Sequence, residues 1–378
     1  GEIMKVLINA ANLHSGGGVQ VASSFINELP FVSNNIIKYF DIIVSSEVDK
    51  NISQTTKSFF KNYKVHNIFG LKNYKHNMGL FDNYDLVFTI FGPCYHSIKG
   101  INLVGFAQPW IIYPNNECYN MLSSVEKLKF KLKFFLQKNF FKKSDYCVVE
   151  LEHVKQRLTK LNIFKDNQVD VVYNTVSNIY FSPEKWEKIK FESSEKIKIG
   201  LISRDYFHKN TNILPKVKET LKNKYKKEVD FYVTFNEEEW LNKSSYFQEN
   251  IINVGPLKVN ECPNFYEKMD AIIFPSLLEC FSATPLEAMI MKKPLFASDR
   301  GFIKDVCLDF AFYFEPTDPE SAAAVINGFI ENKNINELDI KLTAAQTHAK
   351  NFSSARQRAV KYTQIIENCL NKEENSHV

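Results

Sequence analysis

The sequence has no run approaching the ~20 apolar residues that a bilayer crossing needs, so any membrane contact is expected at the surface of the protein. It has no CxxC pair. The seven cysteines, Cys94, Cys118, Cys147, Cys262, Cys280, Cys307 and Cys369, are odd in number and scattered, which speaks against a disulfide framework and a zinc site and fits a reducing cytosol. Neither sign of charge dominates: Lys and Arg total 47 against 43 acids, a net charge of +4, and nucleic acid is not implied as a partner. The run MKVLINAANLHSGGG from Met4 is broken by Asn9 and Asn12 and is expected to be a first strand rather than a secretion signal. Gly1 to Ile3 ahead of it are expected to be a cloning remnant. No internal repeat or low-complexity tract stands out.

What is present is length and rhythm. With 378 residues, 44% of them apolar, the chain exceeds what one hydrophobic core usually serves, and two domains are expected. Short apolar or β-branched runs alternate with helical patterns: KVLINA from Lys5, FDIIVS from Phe40, DLVFTI from Asp85, NLVGF from Asn102, YCVVE from Tyr146 and VDVVY from Val169. The polar, aromatic-dotted stretch Ser177 to Lys196 breaks this rhythm and reads as an interdomain linker. The alternation restarts with IKIGLIS from Ile197, VDFYVTF from Val229, NIINV from Asn250, DAIIF from Asp270 and PLFAS from Pro294. This predicts two α/β domains with parallel sheets, over 1–180 and 181–351. A last helix at about 352–370, apolar at helical spacing, is expected to pack back on the first domain. Two open sheets facing one another would form a cleft at their strand C-termini, where such folds bind ligands.

Three short stretches carry chemistry. In FPSLLECFSATPLEAM, from Phe274, a buried strand leads through a turn into a helix, with Glu279 at the strand end and Glu287 about one helical turn in. The plain reading is a capping box, in which Glu287 bonds back to the backbone of Thr284. The functional reading has the helix N-terminus facing a phosphate, Glu279 accepting from sugar hydroxyls and Glu287 holding a ribose diol, with small side chains at Cys280, Ser282 and Ala283 leaving room. In ISRDYFHKN, from Ile202, Arg204 and Lys209 share one strand-to-helix loop and could converge on a diphosphate; the plain reading is a solvated basic loop with Arg204 beside Asp205. In HSGGGVQ, from His14, three glycines permit close approach of backbone to a ligand. The dinucleotide fingerprint would need glycine where Val21 stands, so a nicotinamide-binding fold is disfavoured.

Together these stretches resemble the retaining nucleotide-sugar glycosyltransferases of the GT-B fold, glycosyltransferase family 4, over most of the chain. The glycine loop Gly16 to Gly18, VVYNTVSNIYF from Val171, Arg204 with Lys209, and the paired glutamates followed by PLFASDRG carry the likeness. The resemblance implies two Rossmann-like domains facing across a deep cleft, the first binding acceptor and the second donor. It implies that Arg204 and Lys209 neutralise a departing diphosphate, that Glu279 meets the donor sugar and that Glu287 binds the ribose. Phe281, Ser282 and Ala283 would line the donor, with Gly17 and Gly18 opposite and Leu257 against the base. Metal independence is implied as well, and no DxD pair is present to hold a cation. No cofactor is expected beyond a nucleotide-diphosphate sugar as donor substrate. Two positions depart from the family: GFAQPW carries Gln108 where many members place a His on the acceptor side, and Leu151 stands at a usual serine. A nucleotide-sugar epimerase on the same fold, and a catalytically idle sugar-nucleotide-binding subunit, are the rival readings.

The stretch Glu126 to Lys143 bears on location. Leu128, Leu132, Phe135 and Leu136 form one apolar stripe and Phe130, Phe134 and Phe141 another, while Lys127, Lys131, Lys138 and Lys142 share one side. One stripe would face the domain core and the other an anionic bilayer; the plain reading is a helix buried on both stripes. The expected location is cytoplasmic and peripheral on the inner face of the cytoplasmic membrane, with a role in lipopolysaccharide or capsule assembly.

Overall fold

In a computed structural model, which describes residues 4–192 and 194–376, the apolar runs become the centres of two parallel sheets. Gly1 to Ile3, Ser193 of the linker reading and residues 377–378 lie outside the described residues. The chain divides into two units: one runs to Thr175 and resumes at Ser353, and the other spans Val176–Phe352.

The first unit contains β1 (Val6–Ala10), β2 (Phe40–Val44), β3 (Tyr63–Val65), β4 (Leu86–Thr89), β5 (Ile101–Gly105), β6 (Tyr146–Val149) and β7 (Val169–Val171), in spatial order β3-β2-β1-β4-β5-β6-β7. Val6 of β1 pairs with Phe40 on one side and Leu86 on the other, so the strand order reverses between β1 and β4. Every residue of β1 is buried, as a parallel strand covered on both faces requires. Val21, Ala22, Phe25 and Ile26 of the helix Gly16–Glu28 supply one cover. Ala359, Tyr362, Ile366 and Cys369 of the helix Ala355–Ser376 join the same core, where the Tyr362 ring meets Phe25 and Phe88 edge-on at 5.1 and 5.4 Å.

The second unit contains β8 (Ile197–Leu201), β9 (Val229–Val233), β10 (Ile252–Asn253), β11 (Ala271–Phe274), β12 (Leu295–Ser298) and β13 (Phe312–Phe314), in order β10-β9-β8-β11-β12-β13. Its order reverses between β8 and β11, which pair through Ile199 and Ala271. Gly200 of β8 lies under the helix Cys262–Lys268: a Cβ there would sit 2.7 Å from the Phe265 ring and from Met269 Cγ.

The linker reading of Ser177 to Lys196 is corrected. That stretch packs within the second unit, where Ile179, Tyr180 and Ile189 are buried. Trp186 Nε1 donates to the Ile179 carbonyl at 2.5 Å and Ile189 N donates to Asn264 Oδ1 at 2.8 Å. Its polar composition masked apolar residues spaced too widely to read as a strand or helix.

Candidate active site

The loops after β8 and β11 leave the C-terminal ends of neighbouring strands at the reversal of strand order, the place where open parallel sheets bind ligands. Leu277 and Leu278, both buried, anchor the second loop from below. Asn210 ties the first loop down: it takes the left-handed conformation (φ 59°), which asparagine tolerates, and its Nδ2 donates to the carbonyls of Pro275 and Pro316 at 3.0 and 2.8 Å.

Between these loops Lys209 Nζ donates to Glu279 Oε1 at 2.5 Å, with side chains 16% and 8% exposed. Ser276 Oγ donates to the same carboxylate oxygen at 2.8 Å, and the ammonium lies 5.5 Å from the centre of the Phe274 ring. A largely dry setting of this kind strengthens whatever charge interaction it makes with a ligand. Burial pushes the neighbouring His208 imidazole down to about 4, with Lys209 lowering it and Glu279 opposing, so His208 is neutral at physiological pH.

Arg204 does not stand in solvent beside Asp205. Its Nη1 lies 3.0 Å from Glu239 Oε1, and its Nη2 donates to the Thr234 carbonyl. Glu239 is itself fixed by a capping box with Asn236 and accepts from Asp205 N at 2.5 Å. Asp205 turns instead to Lys243, whose ammonium is 2.8 Å away.

Glu287 departs from the capping-box reading. The helix Thr284–Ile290 is preceded by Ala283 at its N-cap, and the Glu287 carboxylate accepts from Tyr266 Oη and Tyr180 Oη, each at 3.0 Å. Burial pushes this carboxyl up from its usual range, and the two phenol hydrogen bonds pull it back. Lys209 and Glu279 are therefore in contact, whereas Arg204 and Glu287 have their own partners at the edges of the two loops, with no hydrogen bond to that pair among the described residues.

The other expected site residues are placed as follows. The Phe281 ring packs 5.9 Å from Phe352, and Ser282 Oγ accepts from Thr284 N at 3.4 Å beside Ala283. Leu257 is half-buried after Gly255, whose φ of +85° makes the turn. Gly17 and Gly18 begin the first helix of the other unit; a Cβ on Gly17 would meet nothing within 4 Å, whereas one on Gly18 would press on Leu13 at 3.2 Å. Gln108, also in that unit, donates to Gln137 Oε1 at 3.3 Å. Reading the sequence did not single out Tyr180, Tyr266, Ser276 or Glu239. The NEEE run of Asn236 to Glu239 does carry a capping signal that fixes Glu239 locally.

On the helix Ser124–Phe141 the two apolar stripes part company. Phe134 and Phe141 are buried, with Phe134 stacked on Trp110 at 5.4 Å. Leu128, Leu132 and Phe135 are 70%, 67% and 57% exposed. No helix among the described residues is long and apolar enough to cross a membrane.

Comparison with known proteins adds the following. The family model for glycosyl transferases group 1 matches residues 182–347. The O-antigen chain mannosyltransferase RfbU of Salmonella typhimurium is 24% identical over 221 residues, so the match spans 57% of this chain and 57% of that relative. HepE of Anabaena, solved in complex with UDP-glucose, superposes with a TM-score of 0.66 at 13% identity, covering 97% of this chain and 100% of that one. A glycosyltransferase from Rickettsia africae gives 0.65 at 16%, covering 97% and 99%. At such identities the structural likeness is one of fold.

Proposed function

We propose, from the GT-B fold and the match of residues 182–347 to the family model for glycosyl transferases group 1, that this chain moves a sugar from a nucleotide-diphosphate donor to a hydroxyl of a glycan or lipid-linked acceptor. Transfer proceeds with retention and without a metal. The observation that carries this reading is the Lys209–Glu279 pair at the strand-order reversal of the second unit.

Breaking a sugar–diphosphate bond builds negative charge on the leaving group and positive character at the anomeric carbon. Lys209 and Arg204 answer the first, and the Glu279 carboxylate, steadied by Ser276, answers the second while accepting from the sugar's hydroxyls. Glu287, oriented by two phenols, receives the ribose diol. The acceptor hydroxyl attacks from the face the diphosphate leaves, and its proton passes to the departing phosphate oxygen. The likeness to RfbU supports surface-polysaccharide synthesis as the setting and a hexose as the transferred group. The exposed Leu128, Leu132 and Phe135 among lysines support attachment to the inner face of an anionic membrane.

The test is turnover of a panel of nucleotide-sugars chosen by thermal shift, since a bound donor raises stability with its concentration over its dissociation constant. Lys209→Ala is expected to lower kcat by roughly 10²- to 10³-fold with the melting profile preserved. Unchanged turnover in that variant overturns the assigned role. Nucleotide release that generates an isomerised sugar with no acceptor present would favour the epimerase instead.

A further inference from the structure

We propose that Glu239 is a positioning residue for the sugar transfer: it aims the Arg204 guanidinium at the departing diphosphate, and Lys243 makes this possible by drawing Asp205 away from Arg204. This role rests on the transferase reading, which gives Arg204 to the leaving group. Glu239 and Lys243 both belong to the segment Asn236 to Lys243 that follows β9, where three glutamates stand in a row. Glu237 and Glu238 are exposed, whereas Glu239 is half-buried.

The loop after β8 starts with a conflict of charge. Arg204 and Asp205 are neighbours in sequence, and an ion pair between them would turn the guanidinium back on its own loop. A buried lysine prevents it. The Lys243 ammonium, on a side chain 7% exposed, lies 2.8 Å from Asp205 Oδ2, donates to Thr211 Oγ1 and Asn212 Oδ1 at 2.9 Å each, and sits 4.7 Å from the centre of the Phe247 ring. Thr211 Oγ1 in turn donates to Asp205 Oδ1 at 2.7 Å, so both oxygens of that carboxylate are engaged. These bonds close the loop from Asp205 to Asn212, with Lys209 between its ends. Arg204 is left to Glu239. Oε1 of that glutamate lies 3.0 Å from Arg204 Nη1 and accepts from Asn236 N at 2.9 Å, while Oε2 accepts from Asp205 N at 2.5 Å. A carboxylate fixed by two backbone donors does not follow the cation about, so it imposes a direction on it. The guanidinium has five N–H donors in a rigid fork and gives one to the Thr234 carbonyl, so donors remain for phosphate oxygens. The negative charge of Glu239 opposes anion binding, but orientation outweighs it where donors must meet charge that develops only in the transition state, because a misplacement of about 1 Å can cost ~10²-fold in rate.

The experiment is release of nucleoside diphosphate from GDP-mannose, UDP-glucose and UDP-N-acetylglucosamine by the full chain, compared for wild type, Glu239→Gln, Arg204→Ala and the double variant. Glutamine serves a capping box as glutamate does, so Glu239→Gln keeps the helix start and removes the charge. That substitution is expected to lower kcat about tenfold, the scale of one hydrogen bond to a charged group, with the donor KM no higher than in wild type. In the Arg204→Ala background it is expected to change kcat less than about twofold, because a residue that acts through Arg204 has nothing left to aim. Equal losses in the two backgrounds, a rise in KM alone, or no loss at all would make Glu239 a helix cap only and overturn the role. Thermal melts show whether Glu239→Gln folds; if it does not, Glu239→Asp, which keeps the charge and shortens the reach, carries the same comparison. A wild type that releases nucleotide while the two losses simply add removes this role and leaves the transferase reading standing. One that releases none from any of the three donors removes both.

Discussion

Glu287 is a carboxylate held by two phenols, and its behaviour with pH follows from that. Burial favours the protonated form, and the Tyr180 and Tyr266 hydroxyls favour the charged form, the one proposed to receive a ribose diol. Donor affinity should therefore fall as pH drops through the Glu287 pKa. Removing either hydroxyl moves that fall to higher pH. Tyr266→Phe is expected to raise the donor KM about tenfold at neutral pH, the scale of one hydrogen bond to a charged group, with the acid limb of the KM profile shifted upward. A superimposable profile would show that the phenols do not orient this residue. The glutamate itself was legible in the sequence, because a strand, a turn and a helix start fix its place locally. Its partners were not: Tyr180 lies 107 residues away along the chain and Tyr266 lies 21 away, and neither is signalled by spacing. For the same reason the pairing of Lys209 with Glu279, across 70 residues, required the sheet order as well as the motifs.

Among elements, strands within apolar runs were readable, the short edges β7 and β10 included, and the short edges β3 and β13 were not. All eleven expected runs contain observed strands, whereas β3 and β13 are three residues each at sheet edges, too short to display a period. The helix Ser124–Phe141 shows what periodicity leaves open. Sequence gives two apolar stripes, but only packing reveals that Trp110 and its surroundings cover the Phe134 stripe and leave Leu128, Leu132 and Phe135 in solvent. Flotation with vesicles rich in phosphatidylserine or phosphatidylglycerol is expected to carry the wild-type chain upward, with recovery falling at least several-fold for the double substitution Leu132→Glu, Phe135→Glu. The donor melting shift should remain, because the two positions belong to the other unit. Equal flotation of both chains would rule the helix out as the attachment.

For the whole molecule, one contribution to the response to pH comes from Glu150, just after β6. It is 5% exposed, its Oε2 has no hydrogen-bond partner, and burial pushes its pKa up from the usual 4.5 to about 7, opposed by Arg358 of the last helix. Arg358 spends its own hydrogen bond on Asn174 Oδ1 at 2.5 Å. The folded chain keeps this proton at pH values where the unfolded chain has released it. The Glu150 contribution to stability is then expected to fall as pH rises from about 4.5 to about 7 and to level off above, while His208, held down at about 4, contributes in the opposite sense between about 4 and 6.5. Glu150→Gln should remove that contribution, so its gain in stability over wild type grows with pH from little at pH 4.5 to about 1–3 kcal/mol at pH 8, read from urea unfolding; a difference independent of pH would show that Glu150 does not carry it. The return of the chain to its first unit at Ser353 also bears on how the protein is made. On a ribosome adding ~5–20 residues per second, the helix bearing Phe25 and the strand bearing Phe88 emerge early and stay without their Tyr362 cover for on the order of ten seconds, while the second unit is translated and can close first. During biosynthesis the early half of this chain, more than the later one, is the natural client for a chaperone.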